Sequence, residues 1–459
     1  MRDLTATIAA ISTPPGKGGV ALIRISGAEA FAIADRCFRP AVGAAPLSAR
    51  PPRTAVRGDF LSRGESVDDG LAFRFPAPHS YTGEDTVEFT CHGGVLVSHT
   101  VLEGLYAAGA VPATAGEFTR RAYLNGALTL TEADAIGQLL EATSRGQMRL
   151  AARESRTRLA GTLDAIHGRL VTLIASLYAT IDYPEEDLAD LSDAELLAGL
   201  NALTTELSAL LATYKTGHSI RIGIPTVLCG RPNVGKSSLY NLLCREDAAI
   251  VTDVPGTTRD LLERTVSLGD LTLRLTDTAG LRETEDTVEQ IGVRRTREAL
   301  GRADLVLAVL DASEPLTGED LELLDTLRTH PGTVILCLNK CDRPGAPAFD
   351  APAGFRHVVR LSAKGGDIGP LTDLVLSLFS EGAPQIGEDA ILSDARQFGA
   401  LSRARDLLID TAEAVAAGIP AEVACSEAER ALGCLSEADG RAVSEEIIDS
   451  IFSHFCIGK

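Results

Sequence analysis

The chain has 459 residues, room for about three domains of ordinary size, and at 45% hydrophobic with 4% aromatics and no Trp its cores must rest on Ala, Leu, Val and Ile. A net charge of −20 excludes a nonspecific nucleic-acid coat, which would be basic overall, yet the charge is uneven: residues 1–63 carry nine Lys/Arg against four Asp/Glu, and residues 181–214 carry eight acids and no Lys or Arg. Nine scattered cysteines with no C-x-x-C read as reduced thiols, and the lack of a leader-like start or a span-length apolar run predicts a cytoplasmic protein with no membrane partner.

The first elements are short strands broken by Gly and Pro. "ATIAAIS" leads through the turn "TPPGKGG" into "VALIRIS", and "GLAFRF" and "TVEFTCHGG" follow, each alternating or β-branched. The helix "GVLVSHTVLEGLYAAG" comes next, so residues 1–120 read as an α+β domain. From Thr131 to Asp182 apolar residues recur at helical spacing with no Pro, which predicts one long helix. Ser192 is the expected N-cap of another, and "KTGHS" is expected to punctuate it. An α/β pattern runs from about Arg221 to Ser380, and helical texture returns after "EGAPQIGED". Amphipathic helices need a partner for their apolar face, so the helices on either side of the α/β segment are expected to pack together. The predicted fold is multidomain: an N-terminal α+β domain (1–120), a helical domain (121–216 and 382–459), and an α/β domain (217–381) inserted into it.

The insert carries a nucleotide site. Gly230-x-x-x-x-Gly235-Lys236-Ser237 lies between the apolar strand "PTVLC" and the helix-forming "SSLYNLLC". In such a loop the amides from Asn233 through Val234 and Gly235 to Ser238 hold phosphates, Lys236 reaches the β/γ oxygens and the Ser237 hydroxyl ligates Mg²⁺. "TDVPGTTRD" follows, with Thr252, Asp253, Val254, Pro255, Gly256, Thr257 and Thr258; the Thr258 hydroxyl can complete the Mg²⁺ shell and sense the γ-phosphate. The strand "LRLTDTAG" ends in Asp277, Thr278, Ala279 and Gly280, a Mg²⁺-side carboxylate and a γ-phosphate amide. "VILCLNKCD" ends in Asn339, Lys340 and Asp342. A carboxylate accepts two hydrogen bonds side by side, and guanine offers N1–H and a 2-amino group where adenine offers neither, so Asp342 selects GTP. Ser362, Ala363 and Lys364 fit the loop against the base.

After Asp-x-x-Gly comes Leu281, which cannot orient water as a glutamine would. The sequence holds several substitutes. Asn233 and the carbonyls of "VPGTTRD" can cage a monovalent cation, Arg259 can act as a finger, and Glu283, Glu285, Asp286 or Glu289 can orient water.

Four motifs extend the reading beyond the nucleotide. "TPPGKGGVALIRISG", "GEFTRRAYLNG", "IDYPEED" and the terminal "IFSHFCIGK", taken with the insert, resemble the bacterial tRNA modification GTPase family over essentially the whole chain. These are potassium-activated enzymes acting on wobble uridine. The resemblance implies K⁺ held by Asn233, Thr252, Val254 and Thr257 in place of an arginine finger, and Glu289 as the water-orienting catalytic residue. It implies a homodimer through the N-terminal domain, and a tetrahydrofolate one-carbon derivative (5-formyl- or 5,10-methylene-tetrahydrofolate) at Arg24, Glu88, Ala127 and Lys459. A flavoprotein partner completes a heterotetramer that installs an aminomethyl or carboxymethylaminomethyl group on C5 of uridine 34 in certain tRNAs. Cys456 is either a nucleophilic thiolate beside the folate or a small buried anchor. Two positions depart from the pattern: Ala127 stands where a lysine is frequent, and "SDARQ" (Ser393–Gln397) where a basic run is usual.

One further feature is a stripe, Arg145, Arg149, Arg153 and Arg156, sharing a helix face; it is a solvated face or a row of phosphate contacts. The competing function is a GTP-switched ribosome-assembly factor that binds rRNA without modifying it. That reading calls for an RNA-binding appendage where this acidic chain has the "GGVALIRISG" domain and the "FCIGK" end.

Overall fold

The computed structural model describes residues 5–154, 158–182, 192–246, 263–276, 299–343, 352–380, 390–453, 455 and 457–458. The chain divides into two compact units: Met1–Gly137, Glu154–Asp164 and Asp439–Lys459 form one, and Gln138–Arg153 with Ala165–Ala438 form the other.

The first unit begins with β1 (Ile8–Ile11), β2 (Val20–Ser26), α1 (Ala30–Cys37), β3 (Phe38–Pro40), β4 (Val56–Ser62), β5 (Glu65–Phe75), β6 (Thr86–His92), α2 (Val95–Ala107), β7 (Val111–Pro112), α3 (Glu117–Leu124) and α4 (Leu130–Glu141). The strands form one sheet in the order β3-β4-β5-β6-β2-β1-β7, antiparallel except for the β1–β7 pair. Strand alternation sorts β2: Ala21, Ile23 and Ile25 enter a core with Ile33 of α1 and Val101 and Leu105 of α2, which leaves Arg24 for the opposite face. Phe38, Phe60 and Phe89 knit that core, the last two edge to face with centroids 5.6 Å apart.

Beyond α4 the chain continues as α5 (Arg145–Glu154), α6 (Arg158–Asp182), α7 (Asp193–Ala212) and α8 (Tyr214–Ile222), and then the α/β segment: β8 (Ile224–Cys229), α9 (Lys236–Glu246), β9 (Glu263–Leu268), β10 (Leu271–Thr276), β11 (Leu305–Asp311), α10 (Gly318–Arg328), β12 (Thr333–Asn339), β13 (His357–Arg360) and α11 (Gly369–Ser380). Its sheet runs β13-β12-β11-β8-β10-β9, parallel except for β9. Such a sheet is buried on both faces, and β11, LVLAVLD, is buried throughout: Leu305, Leu307 and Val309 enter one core, Val306, Ala308 and Leu310 the other. The chain ends with α12 (Ala395–Ala416), α13 (Ala421–Asp439) and α14 (Glu445–Ser453). α12 lies along α7, whose Leu196, Leu200, Leu203 and Leu207 are buried. In the first unit Ile448, Phe452 and Phe455 pack with Leu130 and Ala133 of α4.

The α/β segment leaves and rejoins the helices at one place. The Leu392 amide donates to Thr213 Oγ1 at 3.0 Å, Tyr214 stacks on Phe398 at 4.1 Å, and Arg221 pairs with Asp394 at 3.1 Å.

Three expectations need correction. The stretch from Thr131 is interrupted: Ser144 accepts the Gln147 amide, and the Gln147 side chain accepts from the Thr143 and Ser144 amides. This capping box starts a new helix at Arg145. "KTGHS" does not break the chain but lies within α8. Gly217 serves close packing instead, since a Cβ there would meet the Leu392 oxygen at 2.2 Å. Asp193–Ile222 is long and apolar enough to cross a bilayer by length and composition, although the α7 leucines are spent on α12. The helix expected after "EGAPQIGED" is present and begins in "SDARQ", where the Asp394 side chain accepts from the Gln397 amide. The predicted Ser192 cap is present, as a capping box with Glu195.

Candidate functional site

Ligands of open parallel sheets bind where the strands end at their carboxyl edge. There β8 gives way to the loop Gly230–Gly235 and to α9. Three loop residues have positive φ, 142° at Gly230, 63° at Asn233 and 102° at Gly235. At Gly235 only a glycine fits, because a Cβ would stand 2.2 Å from Asn339 Nδ2.

Side chains from two other strand ends hold the loop. Asn339 donates from Nδ2 to the Val234 oxygen at 2.7 Å, and its Oδ1 accepts from the Ala363 amide at 2.9 Å. One buried side chain thus ties the loop Ser362–Lys364 to the loop after β8. Lys340, itself at φ 65°, donates to the Asn233 oxygen at 2.7 Å and to Asp311 Oδ2 at 2.5 Å. Burial alone would push the Asp311 carboxyl up, but Lys340 and Ser313 outweigh it and hold the carboxyl below its ordinary range. Lys236 arches back over the loop, its Nζ donating to the Gly230 and Arg231 oxygens at 2.9 and 2.8 Å.

Two confluent cavities open here. One, about 690 Å³, is lined by the loop with Lys236, Ser237 and Ser238 and by Glu319 and Leu323 of α10. The other, about 420 Å³, is lined by Asn339, Asp342, Ser362, Ala363 and Lys364, with Asn241 and Leu242 of α9. Gly235, Ser238, Lys340 and Arg343 line both. The first has the donors and the helix N-terminus that phosphates require; the second has a carboxylate for a base edge. The Ser362 hydroxyl, and then Asp342's own amide, hold the Asp342 carboxyl below its ordinary range, so it faces the cavity ionised at neutral pH.

Sequence reasoning passed over Asp311, Arg231 and Arg343. Arg231 ties the loop to α10, its Nη2 donating to Glu314 at 2.8 Å and its Nε lying 3.2 Å from Asp320, the N3 acid of that helix. For Asp311 the available signal was an apolar strand ending in an acid, "LVLAVLD". Of the expected nucleotide and cation residues, Thr252, Asp253, Val254, Pro255, Gly256, Thr257, Thr258, Asp277, Thr278, Ala279, Gly280 and Glu289 lie outside the described residues, as do Cys456 and Lys459.

In the first unit Arg24 and Glu88 meet across β2 and β6. Arg24 Nε and Nη2 reach Glu88 Oε1 at 2.9 and 2.8 Å, and the guanidinium sits 4.6 Å from the Tyr81 ring centroid and 5.5 Å from that of Phe118. Its Nη1 is buried without a hydrogen-bond partner among the described residues. An orphaned buried donor between aromatic faces fits a flat ligand with an acceptor at its edge. Beside it Arg121, 2% exposed, pairs with Glu117 at 2.9 Å and Glu84 at 3.2 Å. Ala127 is exposed and brings no charge to this face. The turn "TPPGKGG" does join β1 to β2, and it also lines a cavity of about 610 Å³ with His99, Tyr106 and Ile457.

Relatives resemble this chain in sequence along its entire length. Residues 7–127 match the family described as GTP-binding protein TrmE N-terminus, and residues 130–456 match the MnmE helical domain. The chain is 43% identical over 459 residues to a tRNA modification GTPase MnmE of Symbiobacterium thermophilum, covering 99% of each chain. It is 39% identical to that of Levilactobacillus brevis, covering 99% of this chain and 98% of the other, and 40% identical to that of Heliobacterium modesticaldum, covering 99% of both. With the two family models meeting end to end and full-length identity at this level, the chain belongs to the MnmE family of tRNA modification GTPases.

Proposed function

We propose that the protein is a potassium-dependent GTP hydrolase that, as a homodimer joined by a flavoprotein partner, modifies C5 of wobble uridine 34 in tRNA with an aminomethyl or carboxymethylaminomethyl group. The observation that carries the nucleotide half is the Asn339 bridge, which locks the phosphate-loop cavity to a base cavity holding an ionised Asp342. Domains 1–120, 121–216 with 382–459, and 217–381 would divide the work into folate binding with dimerisation, scaffold, and GTP turnover. Full-length relationship to tRNA modification GTPases favours this reading over an rRNA-binding assembly factor.

In the nucleotide site Ser237 and Thr258 would ligate Mg²⁺, with Asp277 on the same side. Asn233, with Thr252, Val254 and Thr257, would hold K⁺ where other GTPases use an arginine, and Glu289 would orient the attacking water that Leu281 cannot. In the first unit Arg24 and Glu88 would hold the tetrahydrofolate, with Lys459 and Cys456 from the chain end. When bound, that group supplies the one-carbon unit.

The test is GTP turnover in K⁺ and in Na⁺ at equal ionic strength, with Asn233→Ala alongside. Stimulation by K⁺ that the variant loses is expected. Equal wild-type rates in the two salts would overturn the cation mechanism and turn attention to Arg259.

A further inference from the structure

Helix α5 takes no part in the functions assigned so far, yet its first turn is built against the β9–β10 hairpin. Gly146 approaches so closely that a Cβ there would lie 1.8 Å from the Asp270 carbonyl oxygen. One turn on, Arg149 Nη1 reaches both carboxylate oxygens of Asp270, at 3.1 and 2.9 Å. Thr272 Oγ1 donates to Ser144 Oγ at 3.0 Å, and Ser267 Oγ donates to the Thr143 oxygen at 3.3 Å. Leu150 of the same helix, 2% exposed, is part of the core on one face of the second sheet.

The hairpin has a two-residue turn, since Leu268 pairs with Leu271, and Gly269 takes φ 64°. At its other end Glu263 pairs with Thr276, and in sequence these residues adjoin the two nucleotide motifs Thr252–Asp260 and Asp277–Gly280. A strand of six residues carries a displacement rigidly over roughly 20 Å. On the α5 side, the residues up to Gly137 and again from Glu154 belong to the unit that holds Arg24 and Glu88. Residues 138–153, the stretch of chain between those two passages, thus carry α5 and its contacts with the hairpin.

We propose that Gly146, Arg149 and Asp270 form a latch through which GTP turnover is coupled to tRNA modification, an inference that rests on the function proposed above. These are positioning residues, acting through the hairpin and through α5. The ion pair suits a latch because it is half exposed, 51% at Arg149 and 37% at Asp270; exposed pairs add little net stability, so they open and close at small cost. The same contact redefines the arginine stripe. Arg149 is engaged by Asp270 and is no free phosphate contact, and Arg156 lies outside the described residues.

The experiment uses the full chain with Arg149→Glu, Asp270→Arg and the double exchange. Each is expressed in a bacterial strain deleted for its own tRNA modification GTPase. Modified wobble uridine is read by mass spectrometry of digested tRNA, and kcat and KM for GTP are measured on purified protein. Each single variant is expected to keep kcat for GTP within about twofold while modified uridine falls at least about fivefold; the double exchange is expected to restore modification. The latch is overturned if the singles modify normally, if the exchange fails to restore, or if kcat falls in step with modification. A defect in Arg149→Glu alone would overturn it in favour of a tRNA contact. A wild-type chain that turns over GTP but restores no modified uridine would remove the proposed function, and the latch with it.

Discussion

Asp342 illustrates how much one side chain decides. Its carboxylate presents two acceptors, whereas an asparagine presents one acceptor and one donor, the complement of xanthine's N1–H and 2-oxo group. Asp342→Asn is therefore expected to weaken GTP binding at least about tenfold and to gain binding of xanthosine triphosphate, as calorimetry with both nucleotides would show. Ala127 is the reverse case, a position where a charge is missing. Ala127→Lys is expected to tighten 5-formyl-tetrahydrofolate binding by about two- to fivefold, the scale of an exposed ion pair; an unchanged dissociation constant would mean that the ligand's carboxylates lie elsewhere. Residue types at motif positions were legible in the sequence because glycine, lysine and aspartate there have few substitutes. Arg231 and Asp311 were not, because their roles exist only once β11 and α10 are folded beside the phosphate loop.

Among the elements, α3 shows how a short helix can carry a buried charge. Arg121 lies within it, with Glu117 one turn before and Glu84 from the neighbouring loop. Removing the cation leaves two carboxylates uncompensated, so Arg121→Met is expected to cost about 3–5 kcal/mol in urea denaturation. Glu117 adds a pH dependence. Burial alone raises its carboxyl, but the Thr114 amide and hydroxyl and Arg121 outweigh burial and hold it below the ordinary glutamate range. A carboxyl depressed by folding contributes stability above its unfolded pKa and loses it as pH falls through the folded one. The urea midpoint should drop on acidification below the ordinary glutamate range, and Glu117→Gln should flatten that limb. Element type was readable along most of the chain from apolar periodicity. The break before α5 carries a capping signature, Ser144-x-x-Gln147, but no proline marks it within an otherwise helical apolar period. Gly217 misled in the other direction: a glycine selected for contact with another segment looks, in sequence, like a glycine selected for a turn.

For the whole molecule, the sequence pattern implied that helices before and after the α/β segment share a core, since α7 alone cannot bury its leucines. The α7–α12 pairing meets that expectation. Beyond reach was the place of α5, whose periodicity demands a partner without saying which; Leu150 finds one in the core of the GTP-binding sheet.

The close pairing of Thr213 with Leu392 has a consequence for how such a protein can be assembled and edited. Because exit and return lie side by side, the segment between them behaves as a cassette whose removal leaves a gap that a few residues can bridge. Replacing residues 224–390 with a short Gly/Ser linker is expected to leave a helical, monodisperse remainder, measurable by circular dichroism and light scattering; aggregation would mean that α5 and α8 depend on the cassette for cover. One recombination event at that single point of exit and return suffices to splice a ready-made nucleotide switch into an older helical scaffold.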